Sequence, residues 1–189
     1  MSRKEILKSD ALDDGYISHL RFVEESDAAF ICGLRSDSKL NAHISQADVS
    51  VEAQRKWISD YKAREAAGDE YYFVIRHQAK DYGVVRMYDF QPDSFCWGSW
   101  IILPERPSGL VTFSALMMYE IGFDVLDYPR SHFDVRHGNT NVINFHLRSG
   151  ATPTHADEAN QYFNFERAQW PVFREKSAAQ LNAHRMPCR

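Results

Sequence analysis

NTNVINFHLRSGA (residues 139–151) reads as one amphipathic helix placed directly after a short strand, SHFDVR (131–136). Its apolar residues recur at helical spacing, and Gly150 is the residue type that commonly follows the end of a helix. His146 breaks the apolar face beside Phe145, where burying a polar ring is costly unless it is hydrogen-bonded. The stretch therefore predicts a strand–turn–helix unit that carries a polar group on its buried face.

The segments on either side predict a mixed α/β (α+β) fold, with helices flanking a central sheet. Alternating or β-rich runs indicate strands, and apolar runs with helical spacing, or too long for a strand, indicate helices. Strands are predicted at 20–24, 70–77, 82–89, 94–103 and 131–136 and in ATPTH and YFNFERA; helices are predicted for AAFICGLR, from a cap at Asp48 or Ser50 to Gly68, over 110–126, over 139–149 and from Pro171 onward. Residues 36–50 have the composition of a loop.

Length and composition favour one soluble globular domain over residues 16–189, preceded by a loose arm at 1–15. Hydrophobic residues make up 44% and charged residues 25%, which excludes a disordered chain, and a net charge of −4 gives no support for a nucleic-acid partner. No membrane span or signal peptide is evident, so a cytoplasmic location is expected. The three cysteines show no metal-ligand spacing, and no metal is expected.

A second motif opens the helix predicted at 110–126, in the loop RPSGLV (106–111). A glycine-containing loop at a helix start presents successive backbone N–H groups, and the helix dipole adds partial positive charge. Such a loop can bind a pyrophosphate. Pro107 has no N–H to contribute, and many helices begin with a glycine turn that binds nothing.

Taken together, the loop and the 139–151 helix resemble the GNAT family of acyl-CoA-dependent N-acetyltransferases, over roughly residues 20–166. The family's loop runs Arg/Gln-x-x-Gly-x-Gly/Ala, and Val111 stands where its second small residue is usual. Its helix runs Asn-x-x-Ala-x-x-Leu-Tyr-x-x-x-Gly-Phe, which Asn139, His146 and Gly150 match in spacing, with histidine in place of tyrosine. The resemblance implies that strands 94–103 and 131–136 are parallel and diverge.

The resemblance also implies that acetyl-CoA is the co-substrate, bound in the gap between those two strands. Strand amides would polarise the thioester carbonyl, the helix-start loop would hold the pyrophosphate, and Asn139 would contact the pantetheine arm. The implied cofactor-binding residues are Ile101, Ile102, Leu103, Arg106, Ser108, Gly109, Leu110, Val111, Thr112 and Asn139.

His146 occupies the position from which the family's tyrosine protonates the departing thiolate. A thiol has a pKa of about 8.5, and an imidazole that stays charged, with a pKa of about 6.5, could supply the proton. The alternative is a core histidine satisfied by a local carbonyl. For the base that accepts the amine's proton, Asp89, Asp93, Glu105 and a water relay all remain open.

The acceptor side of this family's fold is formed by the first helices, their loop and the third and fourth strands. Its predicted substrate-binding residues are His43, Tyr88, Asp89, Trp97 and Trp100. The chain looks like bacterial amino-sugar N-acetyltransferases in the stretches RFVEESDAAFICGLRSD (21–37), HIS…EAQRKWISDY, EYYFVI (70–75), VRMYDF (85–90) and WGSW (97–100). The resemblance therefore favours a small-molecule amine, and specifically a nucleotide-linked amino sugar, as the acceptor. A ribosomal-protein-type N-terminal acetyltransferase and a non-catalytic acyl-CoA-binding module remain open, as do a monomer and a homodimer.

Overall fold

A seven-stranded sheet organises the computed structural model, which describes residues 15–40, 42 and 50–187. The predicted arm at 1–15 therefore lies almost entirely outside the described residues. The strands follow the spatial order β1-β2-β3-β4-β5-β7-β6, which confirms a mixed α/β fold. Their bounds are β1 Ser18–Phe22, β2 Tyr71–His77, β3 Lys80–Gln91, β4 Ser94–Ile102, β5 Arg130–Arg136, β6 Thr152–Ala156 and β7 Asn160–Glu166.

Six α-helices are found in the described part of the chain: α1 Ala28–Ser36, α2 Val51–Ala67, α3 Leu110–Glu120, α4 Thr140–Ser149, α5 Trp170–Lys176 and α6 Ala178–His184. The Ser50 hydroxyl caps α2 by accepting a hydrogen bond from the Ala53 amide, and Gly68 and Gly150 end their helices in the left-handed conformation. Two predicted helices differ from a single continuous α-helix. The helix expected over 110–126 becomes a π turn at Ile121–Val125, and the C-terminal helix is broken at Ser177.

The parallel neighbours β4 and β5 join two antiparallel halves of the sheet. They pair only at Phe95 and Ser131, near the start of each strand, and beyond that point β5 is paired along its length with β7. The predicted parallel and diverging strands are therefore confirmed. The divergence leaves a gap that opens toward the carboxyl ends of β4 and β5.

Side chains alternate across the sheet and so separate two cores. Tyr71, Phe73 and Ile75 on β2 pack in the cluster that contains α3, and we call this side the α3 face. Tyr72 and Val74 pack in the cluster that contains residues of α1 and α2, and we call this side the α2 face. Each face thus carries its own helix layer, and the gap between β4 and β5 connects the two.

Gly122, in the π turn, allows the Phe95 ring to lie against the chain where β4 meets β5. A Cβ atom at Gly122 would stand 1.9 Å from Cζ of this fully buried ring. We expect Gly122→Ala to lower the free energy of unfolding by about 1–3 kcal/mol in denaturant titrations. The control is Gly33→Ala in α1, where no atom lies within 4 Å. That change should stabilise by about 0.5–1 kcal/mol, and equal stability of the two variants would contradict the role given to Gly122.

Candidate active site

The gap between β4 and β5 contains a cavity of about 300 Å³, the first cavity. Residues from β3, β4, β5, α4 and the start of β7 line it, so it runs through the sheet where the strands separate. Its walls are Tyr88, Trp97, Gly98, Ser99, Trp100, Phe133, Asp134, Val135, Arg136, Asn139, Val142, His146 and Asn160. Where two strands diverge, their backbone N–H and C=O groups lose the hydrogen bonds of a neighbouring strand. Such groups can bind an extended ligand.

His146 reaches this cavity from α4 through an aromatic cage. Its ring lies 4.2 Å from the Phe133 ring and 5.4 Å from the Trp97 ring, centroid to centroid, and only 4% of the residue is exposed. Its buried Nδ1 has no hydrogen-bond partner among the described residues, so the reading of a core histidine satisfied by a local carbonyl has no support at that atom.

Burial lowers the pKa of His146 to about 3, because the apolar cage disfavours the charged ring. The charged imidazole considered from the sequence is therefore corrected to a neutral one at physiological pH. A neutral imidazole still carries one N–H donor and one acceptor nitrogen. At this site it can donate a hydrogen bond without first binding a proton.

The predicted helix motif brings Asn139 and His146 to the same cavity. Asn139 is half-buried immediately before α4, and its side chain makes no capping hydrogen bond to the helix. Val142 lies one turn before His146 on the same wall. Asn139 thus lines the first cavity, and its side-chain amide is not used to cap α4.

The predicted pyrophosphate loop folds as a turn into α3. Gly109 has φ of 86°, and the Leu110 amide donates to the Pro107 carbonyl, whereas the Val111 and Thr112 amides have no carbonyl partner within the described ranges. His184 Nε2 lies 3.0 Å from the Ser108 carbonyl oxygen and fixes the loop from behind. Arg106 is exposed and turns back to donate to the Leu103 carbonyl at 3.1 Å. The first turn of α3 therefore offers two backbone donors.

The predicted strand donors need one correction. The Leu103 amide donates to the Tyr82 carbonyl at 2.8 Å and is therefore not free, whereas Ile101 and Ile102, opposite Val84 and Gly83 of β3, remain predicted donors. The β4 residues that line the first cavity are instead 97–100. The register with β3 gains one extra residue there, and Ser99 has φ of 48°, which identifies a β-bulge. Gly98, a glycine inside a strand, is the local signal for such a bulge, and the sequence analysis did not use it.

A second cavity of about 200 Å³ lies on the α2 face and meets the first at Ser99, which lines both. Its other walls are Arg35, Ala53, Gln54, Trp57, Tyr72 and Arg86. The resemblance placed the acceptor side at the first helices and at the third and fourth strands, which supply all of these walls except Tyr72, but none of the wall residues was among the predicted substrate-binding residues. Two cavities that meet at one bulge can bring two ligands together.

Three of the five predicted substrate-binding residues line the first cavity. Tyr88, Trp97 and Trp100 line the first cavity; Trp97 is buried, and the Trp100 indole donates to Ser114 Oγ at 3.1 Å. Asp89 is exposed and its carboxylate is held by His132 at 2.9 Å. His43 lies outside the described residues.

Asp134 is the carboxylate that lines the first cavity, and the sequence analysis did not propose it. Phe133 and Val135 enter the α3-face core, so alternation along β5 turns Asp134 to the opposite face. The pattern SHFDVR contained that signal. The earlier candidates Asp89 and Asp93 are instead bound by His132 and Arg130 at the β3–β4 hairpin.

Comparison with known proteins decides the family. The family profile described as Acetyltransferase (GNAT) domain matches residues 19–152. The chain belongs to the GNAT acetyltransferase family. The apo structure of a nucleotide-linked sugar GNAT, FdhC, is 41% identical, covers 90% of this acetyltransferase and 97% of its own chain, and has a TM-score of 0.81.

More distant structures share the GNAT fold. Spermidine N-acetyltransferase from Vibrio cholerae, in complex with CoA and spermine, is 15% identical over 82% of this chain and 98% of its own, with a TM-score of 0.71. RimL, the ribosomal L7/L12 alpha-N-protein acetyltransferase in complex with coenzyme A, is 17% identical over 80% and 97%, with a TM-score of 0.67. No curated protein matches the sequence significantly.

Two features are absent from the described residues. No helix there has the length and apolar character needed to cross a bilayer. No group of three or more His, Cys, Asp or Glu side chains there is arranged to hold a metal ion.

Proposed function

We propose that this GNAT acetyltransferase transfers an acetyl group from acetyl-CoA to the primary amine of a nucleotide-linked amino sugar. The observation that carries the proposal is the meeting of the two cavities at the Ser99 bulge. One cavity suits an extended thioester between β4 and β5, and the other suits an acceptor on the α2 face. The 41% identity with a nucleotide-linked sugar GNAT supports this class of acceptor.

Acetyl-CoA fits the residues on the cofactor side. The Val111 and Thr112 amides are donors for pyrophosphate at the positive end of α3, and the Asn139 amide and His146 ring face the first cavity. The buried, unpartnered Nδ1 of His146 marks a polar point in an otherwise aromatic wall. When bound, acetyl-CoA supplies an acetyl group activated as a thioester.

Two residues on opposite sides of the first cavity are assigned the proton acceptor and the hydrogen-bond donor of the reaction. Asp134 would accept the proton that the amine loses, since its carboxylate lies on the face that the acceptor approaches. Burial raises the pKa of the neighbouring Tyr88, and the negative charge of Asp134 adds to that rise, which supports their proximity. His146 would donate a hydrogen bond from its neutral ring N–H to the sulfur as it departs as a thiolate, from the α3 face, and the ring keeps its proton.

An acceptor panel tests the proposal. The protein is incubated with acetyl-CoA and one amine at a time, chosen from nucleotide-linked amino sugars, free amino sugars, polyamines and peptides with free N-termini. Thiol release and product mass are measured. Acetylation of nucleotide-linked amino sugars, with far weaker activity on the other amines, is expected. Preference for peptides would instead select the N-terminal acetyltransferase, and CoA binding with no turnover on any amine would select the non-catalytic module.

Gly109→Ala tests the cofactor side separately. The new Cβ would lie 3.1 Å from His184 Nε2 and would strain a left-handed backbone, so the contact that holds Ser108 should break. We expect acetyl-CoA to bind roughly tenfold more weakly by calorimetry. Gly68→Ala is the matched control, because Gly68 has a similar φ of 82° at the end of α2, where a Cβ meets only Tyr71 Oη at 3.4 Å. Equal acetyl-CoA affinity in the two variants would remove the loop from the site.

A further inference from the structure

The second cavity has a cationic wall that the acetyl-transfer chemistry does not use. Arg35 from α1 and Arg86 from β3 both line it, together with the amide side chain of Gln54 and the ring of Tyr72. Burial raises the pKa of Tyr72 to about 12, and the charges of Arg35 and Arg86 oppose that rise. Arg35 and Arg86 thus line the same cavity, and the charges of both guanidinium groups act on the phenol of Tyr72.

Arg86 is held in position by three neighbours. Its guanidinium carbon lies 5.3 Å from the Trp57 ring centre and 4.9 Å from the Tyr88 ring centre, and its Nη2 donates to Glu70. Its buried Nε has no partner among the described residues. A guanidinium fixed by two rings and a carboxylate loses little freedom when it binds a ligand, so it is well suited to recognition.

In the cluster formed by Arg64, Glu70 and Arg86, the positive charges outnumber the negative one. Glu70 is buried and accepts hydrogen bonds from both Arg64 Nε, at 2.5 Å, and Arg86, so one carboxylate serves two guanidinium groups. A cluster with surplus positive charge at a partly closed cavity favours an anion, and arginine matches the geometry of phosphate oxygens.

We propose that the second cavity is the subsite for the diphosphate of the acceptor, with Arg86 and Arg35 as its binding residues. This proposal rests on the proposed function for the identity of the whole acceptor. A cavity of about 200 Å³ is smaller than sites for drug-sized ligands, which span about 300–1,000 Å³, so it holds one part of a larger molecule. The sugar would then extend past Ser99 toward the first cavity.

The location of the subsite explains a requirement of the reaction. The amine must reach the gap between β4 and β5 from the α2 face, and the diphosphate must be anchored outside it. Arg86 pairs with Gly98 across β3 and β4, one residue before the bulge that joins the cavities. Arg86 can therefore bind the diphosphate next to the bulge and hold the acceptor in place, while its positive charge stays outside the gap where the acetyl group is transferred.

The test uses the full chain and uridine diphosphate or thymidine diphosphate as the probe, titrated by calorimetry without a sugar or acetyl-CoA. The variants are Arg86→Lys and Arg35→Gln, and the control is Arg64→Gln. Arg64 also bonds to Glu70, but it does not line the cavity, so its loss reports the structural effect of breaking that ion pair. Thermal unfolding shows which variants fold.

We expect Arg86→Lys and Arg35→Gln each to weaken diphosphate binding about tenfold or more, and Arg64→Gln to change it less than about threefold. Acetyl-CoA affinity should stay constant in all three. Wild-type affinity for the probe in both cavity variants, or no probe binding by the wild-type protein, would overturn the subsite. Where Arg86→Lys does not fold, Arg35→Gln decides alone, because Arg35 lies on a different element.

Failure of the subsite can be told apart from failure of the proposed function. Diphosphate binding that depends on Arg35 and Arg86, with no acetylation of any nucleotide-linked amino sugar, would keep the subsite and reject the acceptor. Acetylation of such sugars with an unchanged KM in both variants would keep the acceptor and reject the subsite.

Discussion

Replacing Asp134 with Asn is expected to lower acetyl transfer by about 10²–10⁴-fold at neutral pH, while acetyl-CoA affinity stays close to that of the wild-type protein. Asp134 is the carboxylate that lines the first cavity, and it lies on the face of β5 opposite Phe133. Asparagine keeps the size and polarity of the side chain but cannot accept the proton that the amine must lose. Steady-state kinetics measured by thiol release provide the test.

The pH dependence separates a lost base from a distorted site. Raising the pH deprotonates the amine in solution, so the deficit of Asp134→Asn should shrink as the pH rises. Asp93→Asn is the control, because Asp93 is exposed and pairs with Arg130 at the hairpin. That variant should turn over within about twofold of the wild-type rate, as expected for a surface ion pair. A deficit in Asp134→Asn that does not change with pH would argue that the carboxylate only positions the acceptor.

The sequence predicted the elements well where local patterns determine them. Alternation and β-rich runs located the seven strands, and the caps at Ser50, Gly68 and Gly150 lie where their residue types predict. The C-terminal segment was harder. PVFREKSAAQLNAH reads as one continuous helix, but the helix is interrupted at the buried Ser177, whose φ of −106° and ψ of 11° separate α5 from α6.

The site residues likewise include some that local sequence predicts and others that only the folded chain brings together. The Asn139-to-His146 spacing lies within one helix, so sequence was enough to bring both residues to one cavity. The β4 residues at the gap depend on the Ser99 bulge, which is defined by its register with β3; Gly98 beside it hints at a bulge but does not fix its register. Arg35, Trp57 and Arg86 come from three separate elements and meet only in the folded chain.

The ionisation of His146 depends on the same long-range packing. Nothing within α4 requires a neutral ring. Rings from β4, β5 and β7, at Trp97, Phe133 and Phe163, surround it and exclude water. The sequence identified the residue and its place in the fold, while its charge was fixed by contacts that no short pattern encodes.

Replacing His146 with Phe is expected to lower turnover by about 10²–10³-fold, the usual loss when one hydrogen-bond donor to developing charge is removed. The aromatic cage should accept the Phe ring, so acetyl-CoA affinity should change little. His146→Tyr should recover part of the rate, because it restores a hydroxyl donor at the same position.

The pH dependence of this residue gives a second and independent readout. With a pKa of about 3 in the folded protein, His146 is neutral throughout the working range and should add no limb to the rate profile. In the unfolded chain its pKa returns to about 6.5, so below that pH the unfolded state binds a proton that the folded state does not. Stability from this group is therefore complete above about pH 6.5 and falls as the pH drops toward about 3.

By about pH 5 the loss should reach roughly 2 kcal/mol, and His146→Phe should abolish that part of the acid sensitivity. Denaturant unfolding at the two pH values measures it. The stability result tests the burial of the ring, and the kinetic result tests its role in transfer. A variant that loses the acid sensitivity but keeps the wild-type rate would show that His146 is a buried residue of the core and not a donor to the departing thiolate.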